Sequence, residues 1–112
     1  MKLKNLKDTQ AVYGTSLKGY LKIGVRDLKA IFGDPIDEPS GDLKVNWEWI
    51  YEINDKIFTI YNYKDGPSYL GNNNITIDDI EIWHIGGKST NVLEDIKILL
   101  DQHNVRYQLN EI

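Results

Sequence analysis

The segment EIWHIGGKSTNVLED, residues 81–95, contains the residue types best suited to bind an anion. Gly87, Lys88 and Ser89 match the last three positions of a Walker A phosphate-binding loop. The complete motif also needs a glycine five positions before Gly87, and Ile82 stands there. The backbone loop that wraps a phosphate is therefore incomplete, which argues against a Walker-type NTPase.

Two interpretations of the GGKST stretch stay open. In the first, the amides of Gly86 and Gly87 form a concave anion-binding nest beside a helix N-terminus, with Lys88 and the Ser89 hydroxyl completing the site. In the second, the stretch is only a turn that joins a strand to a helix. The first interpretation predicts that Lys88 contacts a phosphate.

Aromatic side chains provide a second set of candidates, because the chain has three Trp and seven Tyr. Aromatic faces stack on nucleobases, but they also fill protein cores. We predict that Trp47 and Trp49, which alternate along a strand, belong to the core. Tyr63 and Tyr69 lie in or beside a glycine-rich loop and are predicted to contact a ligand, with Lys64 as a further phosphate contact.

The hydroxyl-rich stretch GTSLKGY adds Thr15, Ser16 and Tyr20 as hydrogen-bonding candidates, and His84 is a fourth. The only other histidine is His103. Neither histidine has a second histidine or a carboxylate at metal-ligand spacing, so no metal site is expected.

Catalysis is not predicted from this sequence. No nucleophile is paired with His84, and Glu48 and Glu52 are expected to face solvent rather than to act as a pair of catalytic carboxylates. We therefore expect a protein that is not an enzyme and that needs no cofactor.

Composition limits the class of protein. The 112 residues are 41% hydrophobic and 27% charged, which is typical of one soluble domain. The net charge of −4 disfavours generic binding to nucleic acid. The chain has no cysteine, which excludes disulfides and thiolate metal sites. No segment approaches the roughly 20 apolar residues of a membrane span, and no signal peptide is recognisable, so a cytoplasmic location is expected.

The elements that must position these residues are predicted from periodicity and turn signals. Residues 1–10 are predicted to be a flexible arm and residues 11–112 a single domain. Within that domain we expect one or two short strands over 11–23, with turns at Gly14 and Gly19, and then a helix from Val25 capped by Gly33. A hairpin of strands 45–53 and 57–63 and a loop over 64–74 are expected next. A central strand over 80–85, a helix from a capping box at Asn91 and Glu94, and an edge strand over 105–109 complete the prediction. The predicted fold class is α+β, with a mostly antiparallel sheet of four to five strands and two helices.

Several short motifs together resemble a group of small phage-encoded proteins that mostly lack an assigned function. The motifs appear here as GTSLKGY (14–20), FGDP (32–35), EW (48–49), TIYNYK (59–64) and WHIGG (83–87). The resemblance spans residues 14–100 and implies a phage or prophage origin.

For a small acidic phage protein, this resemblance suggests the countering of a bacterial defence. The leading hypothesis is a non-catalytic sponge that sequesters a nucleotide immune signal, either cyclic or derived from ADP-ribose, in a homo-oligomer. The predicted ligand contacts are Thr15, Ser16, Tyr20, Tyr63, Lys64, Tyr69, His84, Gly86, Gly87, Lys88 and Ser89. One alternative is an inhibitor that docks on a defence nuclease, such as a CRISPR effector, through an acidic face at Asp78, Asp79 and Glu81. Another is a phage accessory or structural protein.

Overall fold

Seven strands and three helices make up the computed structural model, which describes residues 3–112. The strands are Leu3–Asn5 (β1), Ser16–Ile23 (β2), Ile36–Asp37 (β3), Trp47–Ile53 (β4), Lys56–Tyr61 (β5), Ile82–Gly87 (β6) and Tyr107–Glu111 (β7). The helices are Val25–Phe32 (α1), Pro67–Leu70 (α2) and Asn91–Gln102 (α3). Short 3-10 turns lie at Thr9–Val12 and Ile77–Asp79.

All seven strands join one antiparallel sheet in the order β1-β4-β5-β6-β2-β7, and β3 also pairs with β4. The predicted α+β class with an antiparallel sheet is confirmed. The sheet is larger than the four to five strands expected, because β1 and β3 both add to β4. The predicted central strand is also confirmed, since β6 lies between β5 and β2.

One face of the sheet is buried against α1 and α3. Trp49 and Trp83 meet there edge to face, with ring centroids 5.1 Å apart, and both are almost fully buried. The end of α1 is fixed by two side chains of β4, because the Trp49 indole donates to the Gly33 carbonyl at 2.8 Å and the Tyr51 hydroxyl donates to the Phe32 carbonyl. The predicted core placement of Trp47 and Trp49 is confirmed.

The opposite face of the sheet, which we call the open face, has a mixed composition. Along the strands that form it, the residues that alternate with the core residues include Tyr20, Glu48, Ile50, Glu52, Thr59, Tyr61, His84 and Gly86. The chain segment 6–15 covers part of this face, since its 3-10 turn contacts β4 and β5 and Ile50 is only 1% exposed. Neither α1 nor α3 packs on this side.

The N-terminal part of the chain differs from the prediction. Residues 3–5 of the expected flexible arm form β1, and Met1 and Lys2 lie outside the described residues. Gly19 does not form a turn, because β2 continues through it with a β-bulge between Leu17 and Gly19. A Cβ at Gly19 would lie 2.7 Å from the Asn110 carbonyl oxygen, so the close approach of β7 explains the glycine.

Two further local predictions need correction. The helix α3 does begin at Asn91, but its N-cap residue is Thr90, so the predicted capping box at Asn91 and Glu94 is wrong. A capping side chain must belong to the residue before the helix. The loop over 64–74 contains the one-turn helix α2, which starts at Pro67, a residue well suited to a first helical position.

The helix α3 provides a matched pair of isoleucines that tests its packing. Ile96 is fully buried, whereas Ile98 is 40% exposed. We expect Ile96→Ala to lower the free energy of unfolding by about 2–5 kcal/mol, because it removes buried methyl groups and leaves a cavity. Ile98→Ala should change it by about 0.5 kcal/mol or less. Urea denaturation of both variants measures the difference, and equal losses would contradict this orientation of α3.

Candidate functional site

Four rings meet on the open face and form what we call the aromatic cluster: Tyr20, Tyr61, Tyr63 and His84. His84 of β6 lies directly between Tyr61 of β5 and Tyr20 of β2 in the strand register. The His84 ring centroid is 5.1 Å from that of Tyr20, 5.5 Å from that of Tyr61 and 5.3 Å from that of Tyr63. The register of three adjacent strands therefore brings together residues that are far apart in sequence.

The outer members of the aromatic cluster are accessible to a ligand. Tyr20 is 39% exposed and Tyr63 is 37% exposed, whereas His84 is partly buried between them. Exposed aromatic rings offer flat surfaces on which a nucleobase can stack. Burial lowers the pKa of His84 below its usual 6.5, and the nearby Asp65 carboxylate opposes this effect in part. The lowered pKa favours the neutral imidazole, which has one donor and one acceptor nitrogen.

Lys64 extends the aromatic cluster with a positive charge. Its ammonium nitrogen lies 5.4 Å from the ring centroid of Tyr63 and 5.9 Å from that of Tyr69. Both distances fall within the range of cation–π interactions. Tyr20, Tyr63, Lys64, Tyr69 and His84, which the sequence analysis selected separately, thus form one continuous surface.

The loop that carries Tyr63 and Lys64 is held by Asn62, which is fully buried. The Asn62 amide oxygen accepts hydrogen bonds from the backbone N–H groups of Asn46 and Trp47, each at 2.8 Å. Its amide nitrogen donates to the Asp65 carboxylate at 3.0 Å. One side chain therefore connects the start of β4 to the loop that follows β5.

A second amide completes this attachment. The Asn46 side-chain oxygen accepts hydrogen bonds from the Ser68 hydroxyl at 2.8 Å and from the Ser68 backbone N–H at 3.3 Å. Gly66 passes so close that a Cβ there would overlap the Asn46 amide oxygen and lie 2.8 Å from the Asn62 amide nitrogen. The loop is therefore tightly packed where it leaves the sheet.

Beside the aromatic cluster lies a depression of about 270 Å³, which we call the Glu48 pocket. It is lined by Val12, Thr15, Ser16, Val45, Glu48, Thr59, Tyr61 and Gly86. The Thr59 hydroxyl donates to Glu48 Oε2 at 2.7 Å. Burial raises the pKa of Glu48, and the hydrogen bond from Thr59 opposes this in part. The expectation that Glu48 simply faces solvent is therefore wrong.

Gly86 forms the floor of the Glu48 pocket because it has no side chain. A Cβ at this position would lie 2.9 Å from Thr59 Cγ2 and 3.5 Å from Tyr61 Cε1. The first distance is too short for an unstrained contact, so a larger residue would fill the floor or displace its neighbours. Gly86 thus belongs to the candidate site through the space it leaves.

The predicted anion nest at Gly86 and Gly87 is wrong in its geometry. Both glycines are the last residues of β6 and pair with β5 on one side and β2 on the other. In an interior strand the backbone N–H groups lie in the sheet and point at neighbouring strands, so they are not turned toward a ligand.

Lys88 and Ser89, which were predicted as further phosphate contacts, lie past the end of β6. The Ser89 hydroxyl accepts a hydrogen bond from the Asn91 backbone N–H at 3.2 Å. Lys88 lies beside the turn at Gly14, with its Cε 4.0 Å from where a Gly14 Cβ would be. Lys88 follows His84 by four residues, or about 13 Å along a strand. It is therefore outside the aromatic cluster, whereas Thr15 and Ser16 line the Glu48 pocket.

A larger depression, of about 670 Å³, lies elsewhere, near the start of α1 and of β7. Its charged lining is mixed, with Lys22 and Arg106 facing Asp27, Asp78 and Glu81. It contains none of the predicted ligand contacts, and its size alone does not indicate a ligand. The proposed acidic face is also partly engaged, since the Asp79 carboxylate caps its own 3-10 turn by accepting from the Thr76 amide at 2.8 Å.

Comparisons with known proteins do not identify a family, so the proposals below are argued from the open face. No protein-family model, curated protein or solved structure matches this chain. Over residues 3–112, no group of three or more potential metal ligands comes together. Within the same range, no helix has the length and apolar character needed to cross a membrane.

Asn62 offers a test of how the loop is held. In Asn62→Ala the two buried backbone N–H groups of Asn46 and Trp47 lose their acceptor, so we expect a loss of about 2–4 kcal/mol in unfolding free energy. The segment after Tyr61 should also become sensitive to limited proteolysis. The exposed Asn73→Ala serves as the control and should behave like the wild type. Unchanged stability of the Asn62 variant would contradict its role.

His84 predicts a pH dependence of stability. Its pKa is lowered in the folded state, so the unfolded chain takes up the proton first as the pH falls. The contribution of His84 to stability is therefore complete above about pH 6.5 and is lost between that pH and the folded-state pKa. NMR titration of the His84 ring and urea denaturation from pH 8 to 5 measure both effects. A folded-state pKa above 6.5 would contradict the described burial.

Proposed function

We propose that the open face binds a nucleotide and that the protein sequesters this ligand without altering it. The observation that supports this proposal most strongly is the convergence of Tyr20, Tyr63, Lys64, Tyr69 and His84 on one accessible surface. These residues come from β2, from β6 and from the segment after β5, which includes α2. Stacking faces can bind a base, a cation can bind a phosphate, and an imidazole can add a hydrogen bond.

Each part of the cluster has a distinct role in this proposal. The exposed rings of Tyr20 and Tyr63 pack against a base or a ribose. The Lys64 ammonium pairs with a phosphate. This ion pair replaces the weak interaction of the ammonium with the rings of Tyr63 and Tyr69. The neutral His84 imidazole donates or accepts one hydrogen bond. Because Asn62 and Asn46 hold the loop in place, little conformational entropy is lost on binding.

The biological role we propose is counter-defence by a phage protein in the infected bacterial cytoplasm. This role is inferred from the resemblance to small phage-encoded proteins. The ligand would then be a nucleotide immune signal, cyclic or derived from ADP-ribose. Homo-oligomerisation would complete the accessible side of the site with residues of a second copy.

Native mass spectrometry with a panel of cyclic and ADP-ribose-derived nucleotides tests the proposal. We expect at least one to bind and to be released chemically unchanged after denaturation. Release of an altered ligand would indicate an enzyme. Failure of every nucleotide to bind would overturn the proposal, and co-purification of a host protein would then favour the alternative of a protein inhibitor.

A pair of charge reversals locates the phosphate. Lys64→Glu should weaken binding by at least about tenfold, because a charge-assisted hydrogen bond is replaced by repulsion. Lys88→Glu makes the same change in net charge outside the aromatic cluster and should have a much smaller effect. The reverse order of effects would place the phosphate at the junction of β6 and α3.

A further inference from the structure

A single carboxylate lies inside the Glu48 pocket without a full set of donors. Glu48 Oε2 accepts from the Thr59 hydroxyl, which has only one proton to give. Among the described residues no hydrogen bond is formed to Glu48 Oε1. An ionised carboxylate has about four acceptor positions, and Oε1 is not among the buried side-chain atoms that lack a partner, so it is open to solvent. A ligand with N–H donors can therefore reach it.

The Glu48 pocket is continuous with the proposed nucleotide site. The Tyr61 ring is a wall of the pocket and also a member of the aromatic cluster. On another side, Val45 lines the pocket, and the adjoining Lys44 carbonyl accepts from the Lys64 backbone N–H at 2.8 Å. One ligand can therefore occupy the pocket and reach both the cluster and Lys64.

The volume and lining of the pocket suit one heterocyclic base. Its 270 Å³ lies just below the roughly 300–1,000 Å³ typical of sites for drug-sized ligands. Val12 and Val45 give apolar walls, and Gly86 leaves the floor open. A flat ring could thus enter between apolar walls and the Tyr61 ring, with one edge turned to Glu48.

We propose that the Glu48 pocket binds a guanine base and that Glu48 recognises it by accepting hydrogen bonds from N1–H and the 2-amino group. Among the common bases, guanine alone presents two adjacent donors on this edge. Adenine and cytosine each place an acceptor beside their amino group, and uracil places its single N–H between two acceptors. A carboxylate, which only accepts, therefore favours guanine.

The orientation of a guanine base in the Glu48 pocket determines where its ribose and phosphate lie. The donor edge of guanine lies opposite the glycosidic bond, so the ribose and phosphate extend away from the Glu48 carboxylate. They then cross the aromatic cluster toward Lys64. This inference rests on the proposed function, since it names the class of nucleotide that the open face takes.

NMR titration of the full-length protein with GMP, IMP and AMP tests the inference. We expect affinity in the order GMP, IMP, AMP, because IMP keeps N1–H but lacks the amino group and AMP presents an acceptor. Glu48→Gln should weaken GMP binding by about 10- to 100-fold and leave AMP binding nearly unchanged. Glu52→Gln, on the same strand and the same face, is the matched control and should bind GMP like the wild type.

A second variant addresses the shape of the pocket. Gly86→Ala should reduce the binding of GMP by filling the floor, while the NMR spectrum of the core remains that of a folded protein. Equal affinity for GMP and AMP, or GMP binding unaffected by Glu48→Gln, would overturn the guanine assignment and leave the proposed function standing.

Two other outcomes also decide the question. If none of the nucleotides in this titration or in the wider panel binds, the proposed function fails and the guanine assignment fails with it. If arginine amide binds in a Glu48-dependent manner and GMP does not, the pocket recognises a guanidinium group, and the guanine assignment is overturned.

Discussion

The placement of both long helices on one face of the sheet is the constraint on which the rest of the molecule depends. The three buried tryptophans, Trp47, Trp49 and Trp83, meet the apolar stripes of α1 and α3 on that side, so the main hydrophobic core is one-sided. The other side has no helix packed on it, and it is stabilised instead by the segment 6–15 and by polar contacts. An antiparallel sheet allows this arrangement, because it can leave one face to solvent. The candidate site occupies the part of the open face that the segment 6–15 leaves accessible.

The polar groups near the site serve the fold and the site together. Asn62 uses its side chain to hold the start of β4 and the loop after β5, and so it fixes the position of Tyr63 and Lys64. Thr59 holds the Glu48 carboxylate in a similar way. A binding surface that is already positioned in the free protein loses less entropy when a ligand arrives. The same contacts therefore contribute to the stability of the fold and to the pre-organisation of the candidate site.

Much of the fold could be predicted from the sequence, because periodicity and turn residues are local signals. The helix α1 with Gly33 at its end, the β4–β5 hairpin, the central β6 and the start of α3 were predicted in this way. The strand β1 was not, because three residues that pair with a distant strand carry no periodic signal. Gly86 and Gly87 before a helix resemble a turn, and only their pairing on both sides reveals that they continue a strand.

The site was less predictable than the fold for a physical reason. His84, Tyr20 and Tyr63 were selected by residue type, but their mutual contact comes from the register of β2, β5 and β6, which the sequence does not state. Glu48 alternates with core tryptophans and so resembled a surface residue, since alternation cannot show that another segment partly covers the second face. The buried Ile50 beside it was the available signal. Asn62 was missed because it lies inside the predicted strand 57–63, and alternation along a strand gives no sign of a side chain that binds distant backbone groups.

The two-residue turn of the β4–β5 hairpin connects chain length to binding. Asn54 and Asp55 both have positive φ angles, of 49° and 65°, as a tight hairpin turn requires. This turn sets the register that places Thr59 and Tyr61 on the open face and Phe58 and Ile60 in the core. One residue more or less would exchange the two sets of side chains between the faces. Surface turns usually drift in length during evolution, but here a change of one residue would remove the core and the binding surface in a single step, so selection should hold this turn at two residues.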